Sequence, residues 1–267
     1  MLRDLNIKHE YRVKNGAHNW DYWNKALPEA LKYISLAVQN IAYPENPAPI
    51  DVGATVPVDR TLLEQLDGSR ITFSVTIPAN YSSVTTSYPV ILVLHDRNVA
   101  SQDEESQRMI SLLNTNMKSN KVPASIIVEI PVQIEPIYSA ALQQIVNQVR
   151  SKYRTVPDRN HTILLCNNSA GSIAYKLIPE CAELFNAFLL FDANLPDDAI
   201  ANSPDLSYYL DISDKGINYN SYHSLYMSLR HNQIGHEYRV RQGTSSHESF
   251  LNGLNESASF MNIHLQT

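Results

Sequence analysis

The sequence predicts an α/β fold, in which a mostly parallel sheet carries helices on both faces. Two observations predict it. Segments of strand length alternate with segments of helix length from residue 71 onward, and several strands, such as residues 90–94, are apolar runs typical of burial on both sides. Repeated strand–helix–strand units build parallel sheets of this kind. With 267 residues, 43% of them hydrophobic, the chain can bury a sizeable core.

The chain opens with a predicted strand at residues 9–13 and a predicted helix at residues 20–39. Apolar residues recur along the helix at a spacing close to 3.6, as in an amphipathic helix. They are Trp23, Leu27, Leu31, Ile34 and Val38. Four prolines then fall between residues 43 and 57. Because proline lacks a backbone N–H and disfavours helix at the preceding residue, we predict a linker here.

The elements after the linker follow from periodicity and composition. The predicted strands are residues 71–77, 90–94, 124–130, 162–166, 187–191, 208–212 and 236–240. The predicted helices are residues 104–116, 139–153, 172–178, 219–230 and 248–262. Ligands of such sheets bind beyond the carboxyl ends of the strands. Reactive groups are therefore expected in the loops after residues 94, 166, 212 and 240.

The composition bears on partners and cofactors. The net charge is −6 and neither end carries a cluster of Lys and Arg, so we expect no nucleic-acid partner and no membrane partner. The nine histidines show no metal-ligand spacing, and glycine-rich phosphate loops are lacking, so we expect no cofactor. Cys166 and Cys181 make no disulfide framework. Localisation stays open, because an export signal upstream of Met1 would not be visible.

The chain repeats itself near its two ends. Residues 7–16, IKHEYRVKNG, recur as residues 234–243, IGHEYRVRQG, at a constant offset of 227 positions. A repeat of this length indicates duplication of a whole domain. We therefore predict residues 1–42 to be the strand–helix remnant of an upstream copy, residues 43–59 a linker and residues 60–267 a complete domain. A strand and a helix cannot bury an apolar face alone, so we expect residues 7–38 to pack on the main domain or on a second molecule, as in a homodimer.

A candidate nucleophile follows the predicted strand at residues 162–166. The loop Asn167-Asn-Ser-Ala-Gly171 lies between a strand and a helix, which is the setting of the nucleophile elbow G-x-S-x-G. In that motif a sharp turn exposes the serine hydroxyl, and the next backbone N–H helps to bind the oxyanion. Ser169 is then the candidate nucleophile and Ala170 the N–H donor. The alternative is a serine that only caps the next helix.

A candidate base, His247, follows the last predicted strand. The chain order of the α/β-hydrolases is serine, acid, histidine, and a histidine near the C-terminus agrees with Ser169 in that order. The alternative is a solvated loop histidine.

Four segments resemble a family of α/β-hydrolase esterases that includes esterase D, feruloyl esterases and enterochelin esterases. They are residues 69–81, SRITFSVTIPANY; residues 88–95, YPVILVLH; residues 153–155, YRT; and residues 168–171, NSAG. The resemblance covers about residues 60–267. It implies an α/β-hydrolase fold and a carboxylic-ester hydrolase that acts through an acyl-enzyme on a small-molecule or carbohydrate ester, without a cofactor.

The resemblance also implies a site. The family's acid follows the penultimate strand, which points to Asp214, with Asp192 and then Asp211 as lower-ranked candidates. A backbone N–H near Asp96 would join that of Ala170 in the oxyanion hole.

The chain departs from the family at three places in this site. Asn167 stands where the elbow has its first glycine, and residues 95–98, HDRN, stand where the oxyanion loop has glycines. A direct match puts the acid at Gly216 and not at Asp214. An Asp96 side chain pointing at a developing oxyanion would be electrostatically unfavourable.

The family's histidine loop is matched best in the wrong copy. Residues 16–20, GAHNW, fit it closely, whereas His247 fits only after a shift of two residues. A swapped N-terminal segment could offer His18 to the Ser169 of a neighbouring molecule. Taken with the other departures, this leaves a second interpretation open: a catalytically inactive esterase-like module that binds a carbohydrate or a partner, or supports an active domain encoded upstream.

Overall fold

The computed structural model describes residues 2–14, 19–41, 50, 73–79, 81–96, 102–132 and 139–266. The predicted linker lies outside these ranges apart from Ile50, and so does His18. The described residues form one eight-stranded sheet with the order β1-β8-β7-β6-β5-β3-β4-β2. Its strands are β1 (Tyr11–Val13), β2 (Ser74–Thr76), β3 (Val90–Asp96), β4 (Ile126–Val132), β5 (Thr162–Asn167), β6 (Ala187–Phe191), β7 (Ser207–Ser213) and β8 (His236–Arg241).

Strands β3 to β8 run parallel, and β1 and β2 pair antiparallel with β8 and β4. The predicted α/β class with a mostly parallel sheet is therefore confirmed. Every residue of β6 and five of the six in β5 are buried, because the central strands are covered on both faces.

Seven helices accompany the sheet in the described part of the chain. They are α1 (Trp20–Val38), α2 (Gln102–Lys118), α3 (Ser139–Lys152), α4 (Ala170–Cys181), α5 (Tyr219–His231), α6 (His247–Glu256) and α7 (Ala258–Leu265). Helices α3, α4 and α5 share one apolar core with the sheet, and α2, α6 and α7 share the core on its other face. None of the described helices is long and apolar enough to cross a membrane.

One predicted helix is divided. The sequence pattern predicts a single helix at residues 248–262, but the structure has α6 and α7, which meet at Ser257. The Ser257 hydroxyl donates a hydrogen bond of 2.8 Å to the carbonyl of Leu254. Such bonding from serine back to the preceding turn competes with the helical ladder and bends helices. Periodicity does not reveal this break, because the apolar spacing continues through it.

The N-terminal strand and helix attach to the sheet in different ways. β1 pairs with β8, with Arg12 opposite Arg239. Helix α1 is capped by Asn19, whose Oδ1 accepts a hydrogen bond of 3.0 Å from Tyr22 N–H. Yet none of the 19 residues of α1 is buried. The strand is therefore part of the described sheet, whereas the helix adds nothing to its core.

Candidate active site

The candidate site lies at the carboxyl ends of β3, β4 and β5, where α2 and α6 approach the sheet. A cavity of about 40 Å³ opens there, and its walls include His95, Glu105, Glu129, Asn168 and His247. The fold thus brings His247 and the turn after β5 to one place. Pockets for small organic ligands usually measure roughly 300–1,000 Å³, so the described cavity has room for only a few water molecules.

The turn between β5 and α4 has its sharp point at Asn168. This residue has a φ of 46°, in the left-handed region that asparagine tolerates better than most residues, and its side chain is exposed. Ser169, the next residue, has ordinary helical dihedral angles, with a φ of −66° and a ψ of −23°, and is half-buried. In a nucleophile elbow the strained residue at the turn presents the nucleophile. That position is held by Asn168, and Ser169 lies one residue beyond it.

Close packing on the far side of the turn fixes this register. A Cβ atom at Gly171 would lie 2.3 Å from the Cβ of Ala193, so only glycine fits. The carbonyl of Asn168 accepts hydrogen bonds from the backbone N–H groups of Gly171 at 3.2 Å and Asn194 at 2.7 Å. A shift of the turn by one residue would break both bonds and drive a side chain into Ala193.

His247 is the first residue of α6, which Ser246 and Ser249 stabilise through a capping box. Its Nδ1 lies 3.8 Å from Oε2 of Glu105 on α2, and its Nε2 is buried and has no hydrogen-bond partner among the described residues. Burial lowers the pKa of His247, and the Glu105 carboxylate partly offsets this effect. A lowered pKa favours the neutral imidazole. In the described part of the chain Nε2 lacks a hydrogen-bond partner, and the Asp214 carboxylate is bound to Gly243.

Asp214, the first-ranked acid, follows β7 and binds backbone. Its Oδ1 accepts a hydrogen bond of 2.8 Å from Gly243 N–H, and its own N–H donates to the carbonyl of Arg241. These bonds join the loop after β7 to the loop after β8. In the described structure the carboxylate thus holds two loops together, whereas an acid of a triad would orient the imidazole.

The two lower-ranked acids are held by arginines. Asp192 Oδ2 accepts a hydrogen bond of 2.6 Å from Arg241 Nη2, and its Oδ1 accepts the backbone N–H of Ser213 at 2.8 Å. Asp211 is fully buried, accepts a hydrogen bond from Arg241 and lies 3.6 Å from Arg239 Nη1. Each buried carboxylate is thus paired with an arginine, and loss of that arginine would leave an uncompensated buried charge.

The proposed oxyanion loop is described only at its start. Asp96 is the last residue of β3, where it pairs with Val132 of β4, and residues 97–101 lie outside the described ranges. The other predicted donor, Ala170, is buried at the start of α4.

Two acidic residues of the cavity were missed by the sequence analysis. Glu129 lies on β4, is buried, and accepts hydrogen bonds from the hydroxyls of Ser74, at 2.9 Å, and Ser106. Glu105 approaches His247 from α2. A signal existed for Glu129, since it is the one charged residue in an apolar strand, and buried carboxylates need partners. Nothing in the sequence marks Glu105. In the described ranges, no three His, Cys, Asp or Glu side chains form a group that could hold a metal ion.

The structure is similar to solved esterases. A ferulic acid esterase superposes with a TM-score of 0.65 at 16% identity, over 77% of this chain and 98% of the other. The S-formylglutathione hydrolase of Staphylococcus aureus gives a TM-score of 0.61 at 9% identity, over 77% and 99%. The enterochelin esterase of Shigella flexneri gives 0.63 at 14% identity, over 81% of this chain and 59% of the esterase.

The fold is that of the α/β-hydrolase esterases. The expected fold is thereby confirmed, and identities this low concern the fold alone. By sequence, neither a family model nor a curated protein matches the chain. What an α/β-hydrolase fold can do here depends on the groups at the carboxyl ends of its strands.

Proposed function

We propose that residues 73–266 form an α/β-hydrolase-fold module that does not transfer acyl groups through a serine, and that the module supports or binds beside an active domain. The observation that carries this proposal is the position of Asn168. The β5–α4 turn retains the sharp geometry of a nucleophile elbow, but the strained residue bears a carboxamide. A carboxamide has no ionisable hydroxyl or thiol that a histidine could activate.

The surroundings of His247 support the same proposal. A general base of the triad type needs a hydroxyl at Nε2 and a carboxylate at Nδ1. Here Nε2 is buried with no partner among the residues that the structure describes, and the carboxylate near Nδ1 belongs to Glu105, at 3.8 Å. Glu105 and Glu129 share the cavity with the imidazole, and negative charge there would oppose a developing oxyanion.

A serine esterase is the second candidate, and one observation favours it. Ser169 directly follows Asn168 at the same end of the sheet as His247, in a fold shared with esterases. In this mechanism Ser169 would attack the ester, His247 would act as base and then as acid, and Asp214 would have to leave Gly243 to orient the imidazole. The backbone N–H groups of Ala170 and Asp96 would bind the oxyanion.

Covalent labelling and ester turnover separate the two candidates. The protein is incubated with a fluorophosphonate, which modifies activated serines, and is assayed with a short-chain aryl ester. Variants Ser169→Ala and Ser172→Ala are compared, because Ser172 lies one turn further along α4 and donates a hydrogen bond to the carbonyl of Ser169.

We expect no phosphonate adduct by intact mass spectrometry and the same slow ester turnover in all three proteins. An adduct that maps to Ser169, with turnover that falls by several orders of magnitude in Ser169→Ala but persists in Ser172→Ala, would overturn the proposal and establish the esterase.

A further inference from the structure

Helix α1 presents a continuous apolar face to solvent. Val38 is 76% exposed, Leu31 51%, Ile34 50% and Leu27 46%. The same stripe begins at the tryptophans Trp20 and Trp23, the only two in the chain. A monomeric protein seldom exposes an apolar stripe of this length, so the face belongs against another apolar surface.

The internal repeat shows what this face packs against in the other copy. At the offset of 227 positions, Trp23, Leu27, Leu31, Ile34 and Val38 correspond to Phe250, Leu254, Ala258, Met261 and Leu265. All five counterparts are buried against the sheet. The same apolar pattern is therefore buried in the second copy and exposed in the first. This implies that α1 has the residues needed to cover a sheet like the one beneath α6 and α7.

The strand before the helix is arranged symmetrically with its counterpart. Tyr11 pairs with Val240, Arg12 with Arg239, and Val13 with Tyr238. When each residue is replaced by its equivalent, the pair of Tyr11 with Val240 becomes the pair of Val13 with Tyr238. The pair of Arg12 with Arg239 becomes itself. This is the register expected for a two-fold axis between Arg12 and Arg239. An interface of two equivalent surfaces about such an axis is the usual way for like domains to associate.

Some side chains near this axis join equivalent residues of the two segments. The rings of Tyr11 and Tyr238, which are equivalent by the offset, meet edge to face with their centres 5.9 Å apart. Arg12 lies 2.8 Å from a carboxylate oxygen of Glu29 and 3.2 Å from one of Glu256, and these two glutamates are also equivalent. Side-chain contacts therefore accompany the backbone pairing, with Arg12 bound to one glutamate from each segment.

The outer edge of β1 has no neighbouring strand in the described sheet. In the second copy, β8 has β1 on one side and the parallel strand β7 on the other. By equivalence, β1 can receive a parallel strand on its open side. In the second copy that neighbouring strand supplies Asp211 to Arg239 and Arg241. The equivalents of these arginines are Arg12 and Lys14, which both pair with Glu29 of α1 in the described structure.

We infer that residues 7–38 are the last strand and helix of a further α/β-hydrolase-fold domain in the same polypeptide, docked on the present domain about the two-fold axis at Arg12 and Arg239. The sheet would then run through β1 and β8 from one domain into the other. An identical copy of this chain offers no free sheet for α1 to cover, because α6 and α7 already cover the equivalent face. Residues 7–38 correspond to the last strand and helices of the second copy and precede that copy in the chain. The rest of the first copy, with the missing sheet, would therefore lie before residue 7. This inference stands whether or not Ser169 is a nucleophile.

Tryptophan quenching on the protein made from its own gene, with the natural upstream sequence and a C-terminal tag, tests the inference. Since both tryptophans of this chain lie on α1, acrylamide quenching of the 267-residue chain reports on that face alone. In the product of the whole gene their signal is obtained by difference from a variant with both replaced by phenylalanine. We expect strong quenching in the 267-residue chain and several-fold weaker quenching in the whole product, whose peptides should include a hydrolase-like segment ahead of residue 7.

A charge substitution gives an independent readout. Leu27→Asp, on the apolar face, is compared with Lys32→Asp, which is exposed like its equivalent Ser259. In the whole product we expect Leu27→Asp to lower the melting temperature by about 10 °C. Lys32→Asp, whose native charge acts on Glu256, should lower it by much less. Three results would overturn the inference. The first is a product that begins at Met1 and leaves both tryptophans open to acrylamide. The others are shielding of the tryptophans by a second copy of this chain or by an unrelated protein, and equal effects of the two substitutions.

Discussion

The contact between Gly171 and Ala193 allows a quantitative prediction about the turn at Asn168. A Cβ at position 171 would lie 2.3 Å from the Cβ of Ala193 and 3.1 Å from both the Cα of Ala193 and the backbone N of Asn194. Gly171→Ala must therefore push α4 away from the segment after β6. Overpacking of this kind costs about 1–3 kcal/mol, and loss of the 2.7 Å hydrogen bond from Asn194 to Asn168 adds about 1 kcal/mol. We expect a loss of about 2–4 kcal/mol in the free energy of unfolding.

A second substitution, Ala193→Gly, removes the nearest of the three clashing atoms. The two substitutions, alone and combined, form a double-mutant cycle. Alone it should cost about 1 kcal/mol through added chain freedom and a lost buried methyl group. In the double variant the clash is relieved in part, so the combined loss should be at least about 1 kcal/mol smaller than the sum of the single losses. Urea denaturation followed by circular dichroism measures all four proteins. Losses that add to within about 0.5 kcal/mol would refute the packing argument.

Two further predictions concern the repeat and His247. In the 267-residue chain, Leu254→Ala at a fully buried position should lower the free energy of unfolding by about 3–5 kcal/mol. Leu27→Ala, at the equivalent exposed position, should lower it by less than about 1 kcal/mol. Urea denaturation measures both, and equal losses would mean that α1 is packed in this chain. Because burial lowers the native pKa of His247, the unfolded state binds more protons below about pH 6.5 and stability falls as the pH drops from 7 to 5. His247→Gln should make stability depend less steeply on pH, as measured by urea midpoints from pH 5 to 8. An unchanged pH dependence would contradict the burial of His247 as its cause.

Much of the fold follows from local sequence pattern. The central strands are predictable because a parallel sheet covered on both faces requires uninterrupted apolar runs, as in β3 and β6. The ends of helices are less so, since they depend on single hydrogen bonds such as that of Ser257. The antiparallel pairing of β1 with β8 is suggested by no local pattern, and only the repeat indicated that the two segments are related.

The candidate site was predictable in position but not in detail. Its place at the carboxyl ends of the parallel strands follows from the fold. The residue at the point of the turn does not, because Asn167-Asn168-Ser169 can be read in two registers and the choice depends on the fit of Gly171 against Ala193, which is distant in sequence. The serine motif in the sequence predicts Ser169 as the nucleophile. In the structure the residue with the strained backbone is Asn168.

The pairing of β1 with β8 has a consequence for the order of folding. The bond between Arg239 and Glu10 joins residues 229 positions apart, so the loop that closes when the strand docks contains nearly the whole chain. Closing such a loop costs entropy that three strand residues and a few side chains must offset. The present domain can acquire its core from β2 to α7 before β1 arrives. We expect β1 to be the last strand to join the sheet and the first to leave it, so that the pairing of β1 with β8 opens while the other seven strands stay together.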